Sequence, residues 1–175
     1  QPHARMAALT VQHHWYNADP AKGSQVVEEE VEVVAEKSGV ISDTDDLLTI
    51  RIGTVVEKMK YDINEFTAKP GKNVKLIFAN PDFMPHNLVV TKPNKADTVA
   101  QQALSLGAQG FAMAFVPETE DVLWASQLVD HGKEEEMNFT APTAKGDYPY
   151  VCTFPGHHIL MRGVMKVRSV SYTHL

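Results

Sequence analysis

Hydrophobic and polar positions alternate over much of the chain. Leu48, Ile50 and Ile52 alternate with Thr49 and Arg51, and the run continues to Val56; a period of two marks a strand with one buried face. Tyr61, Ile63 and Phe66 follow, ended by Lys69-Pro70-Gly71. Val74 to Ala79 forms a compact apolar run closed by Asn80-Pro81-Asp82. Further strands are predicted over 87–91, 137–140, 148–152 and 163–168. Many short strands separated by Gly and Pro signals point to an all-β sandwich or barrel.

One stretch departs from this alternation. Val99, Ala103 and Leu106 recur at helical spacing within residues 96–107, and Gly107 supplies a stop. Residues 108–121 then read as loop, with Phe111, Met113 and Phe115 partly buried. The beginning of the chain differs again. Val26 to Val34 interleaves Val with Glu, as an edge strand does, and residues 42–46 (Ser-Asp-Thr-Asp-Asp) read as an acidic linker. The expected organisation is an N-terminal extension and linker over 1–46, one domain over 47–168, and a tail over 169–175.

Composition narrows the range of functions. A net charge of −6 and a pI of about 5.7 argue against nucleic acid as a partner, because phosphate binding needs a concentrated positive face. No apolar run approaches the ~20 residues that span a bilayer, so no membrane span is expected. Nor does a basic and then apolar leader open the chain. The expectation is a chain mature after processing, or one cut from a longer protein. There is one cysteine, Cys152, so no disulfide can form within the chain.

The residues after that cysteine carry the chemistry. Cys152-Thr153-Phe154-Pro155-Gly156-His157-His158-Ile159-Leu160-Met161 places a thiol, an imidazole and a thioether in one short loop. Two His and one Cys in a trigonal plane, with a weak axial Met, are the ligands of blue-copper electron-transfer sites. Pro155 and Gly156 supply the turn that brings His157 back beside Cys152. The second imidazole is expected from His86, in Met84-Pro85-His86-Asn87 at the start of a strand. Zinc would favour a tetrahedral Cys/His set without the thioether. The metal site expected is therefore one type 1 copper on His86, Cys152, His157 and Met161. His157 is the expected electron port, its far ring edge near the surface within an apolar patch of Phe83, Met84, Pro85, Pro155 and Leu160.

In Met84-Pro85-His86-Asn87 and the loop from Cys152 to Met161, the sequence resembles the azurin-type cupredoxins, including auracyanin-like proteins, over about residues 47–168. The resemblance implies a Greek-key β-sandwich, with the helix-bearing excursion where azurins carry a flap. It implies His86, Cys152 and His157 as equatorial ligands and Met161 as the axial one. It also implies that Asn87 bonds to the ligand loop and that the carbonyl before His86 approaches the metal weakly. That position, usually Gly in azurins, is Pro85 here. The azurin disulfide cannot form. A periplasmic or otherwise extracytoplasmic setting follows from the same resemblance. So does a redox partner such as a c-type cytochrome or a fused or cognate dehydrogenase.

Copper enzymes with type 1 sites place His beside the Cys, wiring it to a second copper. Cys152 is flanked by Val151 and Thr153, and no His-x-His pair is present. An electron carrier is therefore expected, not an enzyme; the alternative is a structural or docking domain of a larger redox enzyme. His158 reads as surface, and His13-His14 as solvated or packed. The runs Glu28-Glu29-Glu30 and Glu134-Glu135-Glu136 read as solvated strand edges, with an acidic docking surface as the sharper reading.

Overall fold

A computed structural model describes residues 37–169 of the chain. His13-His14, the strand expected over 26–34, Glu28-Glu29-Glu30 and all but the first residue of the expected tail lie outside the described residues. Among the described residues, nine strands form two sheets. The first holds β1 (Gly39–Asp43), β2 (Leu47–Gly53), β4 (Asn73–Asn80) and β7 (Lys133–Thr140), in the order β1-β2-β4-β7. The second holds β3 (Glu65–Ala68), β5 (Val89–Thr91), β6 (Val122–Ala125), β8 (Gly146–Val151) and β9 (Arg162–Val167), in the order β3-β9-β8-β5-β6. Strands β2 and β4 run parallel, as do β3 and β9, while the remaining neighbours are antiparallel.

The alternation in β2 and β4 directs Leu48, Ile50, Ile52, Val74, Leu76 and Phe78 inward. There they meet Phe66, Val90, Tyr150, Met165 and Val167 of the other sheet. Each such side chain removed from water contributes roughly 1.5–3 kcal/mol. Tyr61 fills the space between the sheets, with its ring 5.9 Å from Phe78 and 5.3 Å from Tyr150. Gly163 is needed for close approach: a Cβ there would lie 2.1 Å from the Tyr150 ring. The helix α1 (Ala96–Ser105) buries Ala96, Val99, Ala100 and Ala103, and a 3-10 turn over Gly107–Gly110 follows it.

Two expectations require correction, and one strand goes unpredicted. Residues 42–46, read as linker, are the last part of β1 and a hairpin turn in which Thr44 N donates to Leu47 O at 3.0 Å. Among the described residues, the sandwich therefore begins at Gly39. Lys72 holds that turn, pairing with Asp43 at 3.0 Å and donating to the carbonyls of Thr44 and Asp45. Strand β6 adds a second sheet edge that the pattern does not announce, because all its residues are half-buried and none alternates. Phe111, expected to be partly buried, is 66% exposed.

The run Glu134-Glu135-Glu136 lies on β7, at the edge of the first sheet. Glu134 pairs with Arg51 at 2.7 Å and Glu136 with Lys75 at 2.6 Å, while Glu135 accepts from the backbone N–H of Gln127.

Candidate metal centre

Strand β8 ends at Val151 and β9 begins at Arg162, so Cys152 to Met161 spans one end of the sandwich. Cys152 N donates to Met161 O at 3.1 Å and closes the loop at its base. Inside it, His157 N donates to Phe154 O, and Leu160 N and Met161 N both donate to His157 O. Gly156 has φ +85° with open space around it, the left-handed conformation that glycine adopts without Cβ strain. This turn brings His157 back over Cys152.

His86 comes from the opposite side. It forms a two-way backbone bridge with Val129, at 3.2 and 2.8 Å. Asn80 steadies the bridge, donating through Nδ2 to Val129 O and Met84 O, each at 2.7 Å. The residue after His86, Asn87, is fully buried; its side chain donates to Thr153 Oγ1 at 2.8 Å and Ala114 O at 2.7 Å, and accepts from Thr153 N at 2.8 Å. Asn87 thus ties the His86 segment to the residue beside Cys152 and to the loop after α1.

Three donor atoms converge. Cys152 Sγ lies 3.8 Å from His86 Nδ1 and 3.6 Å from His157 Nδ1, and the two Nδ1 atoms are 3.1 Å apart. All three residues are buried. Met161 is also fully buried, where the loop rejoins β9. Pro85 is half-buried before His86, and Pro155 is exposed. His157 is only 3% exposed. The far ring edge expected near the surface is instead covered, with the Phe154 ring 4.8 Å away. Phe83, Met84, Ile159, Leu160 and Phe111 are exposed. Ile159 and Phe111 are not among the patch residues read from the sequence. His158 is half-buried, and its carbonyl accepts from Arg162 Nε.

Electrostatics favour a neutral, metal-ready set. Burial lowers the pKa of His157 to about 4, helped by the neighbouring His86 and opposed by Asp82. Burial also lowers that of His86, against the pull of Asp82. Both rings are therefore neutral near pH 7, with lone pairs to give. Burial raises the Cys152 thiol to about 11, although the backbone N–H groups of Asn87 and Phe154 act the other way. A metal must displace that proton.

Asp82 is a residue that the sequence pattern reads only as a turn former. Its Oδ2 lies 2.9 Å from His86 Nε2, on the side of the ring away from the donor cluster. A carboxylate four residues before a candidate ligand His is the signal that could have found it.

Two imidazoles and a thiol aimed at one buried point, beside a thioether residue, fit copper, since soft sulfur suits Cu(I) and imidazole suits both oxidation states. Comparison with known proteins agrees. Residues 48–168 match the family described as copper binding proteins, plastocyanin/azurin family. The chain is 34% identical over 124 residues to auracyanin-A of Chloroflexus aurantiacus, covering 69% of this chain and 74% of that protein. The solved structure of auracyanin A, described as a "blue" copper protein, superposes with a TM-score of 0.63 at 32% identity, covering 70% of this chain and 99% of that one. Dithionite-reduced auracyanin from Roseiflexus castenholzii superposes with a TM-score of 0.63 at 29% identity, covering 73% and 100%. With this fold, this donor set and these relatives, the chain belongs to the plastocyanin/azurin family of copper-binding proteins and is a cupredoxin that transfers single electrons through a blue copper centre.

Proposed function

We propose that His86 Nδ1, Cys152 Sγ and His157 Nδ1 are the equatorial ligands, that Met161 is the axial ligand, and that electrons pass through His157. The observation that carries this reading is the convergence of three buried donors within 3.1–3.8 Å of one another. Copper, when bound, supplies a one-electron couple between Cu(II) and Cu(I). The chain does the rest. Cys152 gives up its thiol proton on metal uptake and serves as thiolate. His86 and Asn87 hold one side of the site on hydrogen-bonded backbone, and burial keeps water out. The Pro85 carbonyl is a candidate for a further weak axial contact, and Asn87 holds the surroundings of the sulfur by its bonds to Thr153.

Auracyanin and azurin cupredoxins are electron carriers rather than enzymes, and this chain is read in the same way. Phe83 and Met84, shortly before His86, and Ile159 and Leu160, shortly after His157, are exposed, as is Phe111, and together they are read as an apolar collar at this end of the sandwich. Phe154 packs on His157 at 4.8 Å and on Phe115 at 5.3 Å, and Phe111 packs on Phe115 at 5.0 Å. This aromatic cluster runs from the surface to the ligand ring. A redox protein such as a c-type cytochrome, or a fused or cognate dehydrogenase, would dock on the collar. An extracytoplasmic, periplasmic setting goes with this reading. Among the described residues, no helix is long and apolar enough to cross a membrane.

The test is a visible spectrum of the purified protein after adding Cu(II) and then ascorbate. An intense blue band that bleaches on reduction supports the Cys-ligated centre. A colourless protein that retains zinc, or no metal, would overturn it.

A further inference from the structure

We propose that Asp82 is the positioning residue that aims His86 and sets the reduction potential of the centre, by holding the ring at Nε2 and keeping a negative charge one imidazole away from the metal. The inference rests on the ligand reading above and concerns what tunes that site.

The geometry assigns the tautomer. Asp82 Oδ2 lies 2.9 Å from His86 Nε2, while His86 Nδ1 faces Cys152 Sγ and His157 Nδ1. A carboxylate can only accept, so the ring proton sits on Nε2 and the Nδ1 lone pair points into the cluster. Asp82 cannot swing away easily. Its Oδ1 accepts from the backbone N–H groups of Glu57 at 3.0 Å and Phe83 at 2.9 Å. Its own N–H donates to Asn80 Oδ1 and Thr54 Oγ1, and its carbonyl lies 3.0 Å from His131 Nδ1.

Among the described residues, the side chain that meets Asp82 Oδ2 is His86, a neutral ring near pH 7, and the carboxylate is buried. In such surroundings a fixed anion is screened far less than at the surface. It favours the oxidised site, which carries one more positive charge than the reduced site. One electron from the donor converts Cu(II) to Cu(I), and no bond or proton at Asp82 changes. The effect of Asp82 is thus a lowered potential, together with a ring pre-aimed before metal enters.

The test is a redox titration of copper-loaded D82N beside the parent. Asparagine keeps the shape and can still accept from Glu57 and Phe83, but it removes the charge in either amide orientation. The expected result is a blue protein whose Cu(II)/Cu(I) equilibrium is displaced toward Cu(I) by roughly tenfold, about 59 mV for a one-electron couple. A blue D82N with the parent's potential would overturn the proposal and leave the ligand assignment standing. Should D82N take up no copper, the reduced parent decides by 1H–15N NMR of its imidazoles. A His86 Nε2–H that is protected from exchange and shifted downfield supports the carboxylate bond. One that exchanges freely with water overturns it. A parent that never turns blue is a different failure, that of the ligand reading itself.

Discussion

His86 and His157 bring their Nδ1 atoms within 3.1 Å of each other, yet the chain around each is built differently. The His86 side is a dense polar network. Asn80, Asp82 and Asn87 are all buried, and Thr54, Val129, Met84, Thr153 and Ala114 supply their partners. The His157 side is a short loop held by its own backbone bonds and by aromatic packing, with Pro155, Gly156, Ile159 and Leu160 in water. Buried networks specify one geometry when every member is satisfied, and no buried side-chain N or O among the described residues lacks a partner. One side therefore holds the site still. The other carries the candidate donors Cys152 and His157 in a loop whose remaining residues are partly in water. On the proposed ligand assignment, the difference lets a buried metal exchange electrons without being exposed.

The comparison can be broken most sharply on the loop side. Cys152→Ser removes the thiolate, so the intense blue band should vanish entirely; a blue C152S protein would end the assignment. On the network side, Asn87→Ala should cost about 3 kcal/mol in chemical denaturation, because Thr153 and Ala114 lose buried partners. A cost under about 0.5 kcal/mol would show that the network is not what steadies the site.

A pH series on the metal-free protein probes both sides together. The folded His157 has a pKa of about 4 against an ordinary 6.5. Between those values the unfolded chain binds a proton that the folded chain does not. Stability should therefore fall as pH drops from about 6.5 to 4, by on the order of 3 kcal/mol. His86, lowered by the same burial, adds in the same direction. Urea unfolding at stepped pH reads this directly, and copper loading should move the loss to lower pH, since metal and proton compete. A flat profile would mean that the rings are not held neutral by burial.

Smaller effects sharpen the assignment. Met161→Leu should keep the colour and raise the potential, because it removes a weak axial donor from a buried position; a colourless M161L would make Met161 more than an axial ligand. Leu160→Ser, at an exposed position, should change stability by no more than about 0.5 kcal/mol. It should still slow electron exchange with a partner several-fold in stopped-flow mixing. An unchanged rate would move the docking face away from the loop.

Much of this protein can be read locally. Cys152, His157 and Met161 are contiguous enough that one loop declares its chemistry. The alternation at Leu48, Ile50 and Ile52 declares a strand with one wet and one dry face, and Val99 and Ala103 mark the helix. These features depend on side-chain type at short spacing, so they are legible before the chain folds. The rest follows from packing. Strand β1 is mostly exposed and shows no alternation; its pairing with β2 rests on backbone bonds and on Lys72, 29 residues after Asp43 in the chain. Strand β6 is an edge whose residues are all half-buried, so periodicity has nothing to report. The burial of His157 and the exposure of Phe111 depend on how two separate loops fold over the same end of the sandwich. Asp82 reaches His86 only because Asn80 and Thr54 shape the bend between them. Residue type and local spacing name the candidate donors, whereas distance, burial and charge between distant segments exist only once the chain has packed.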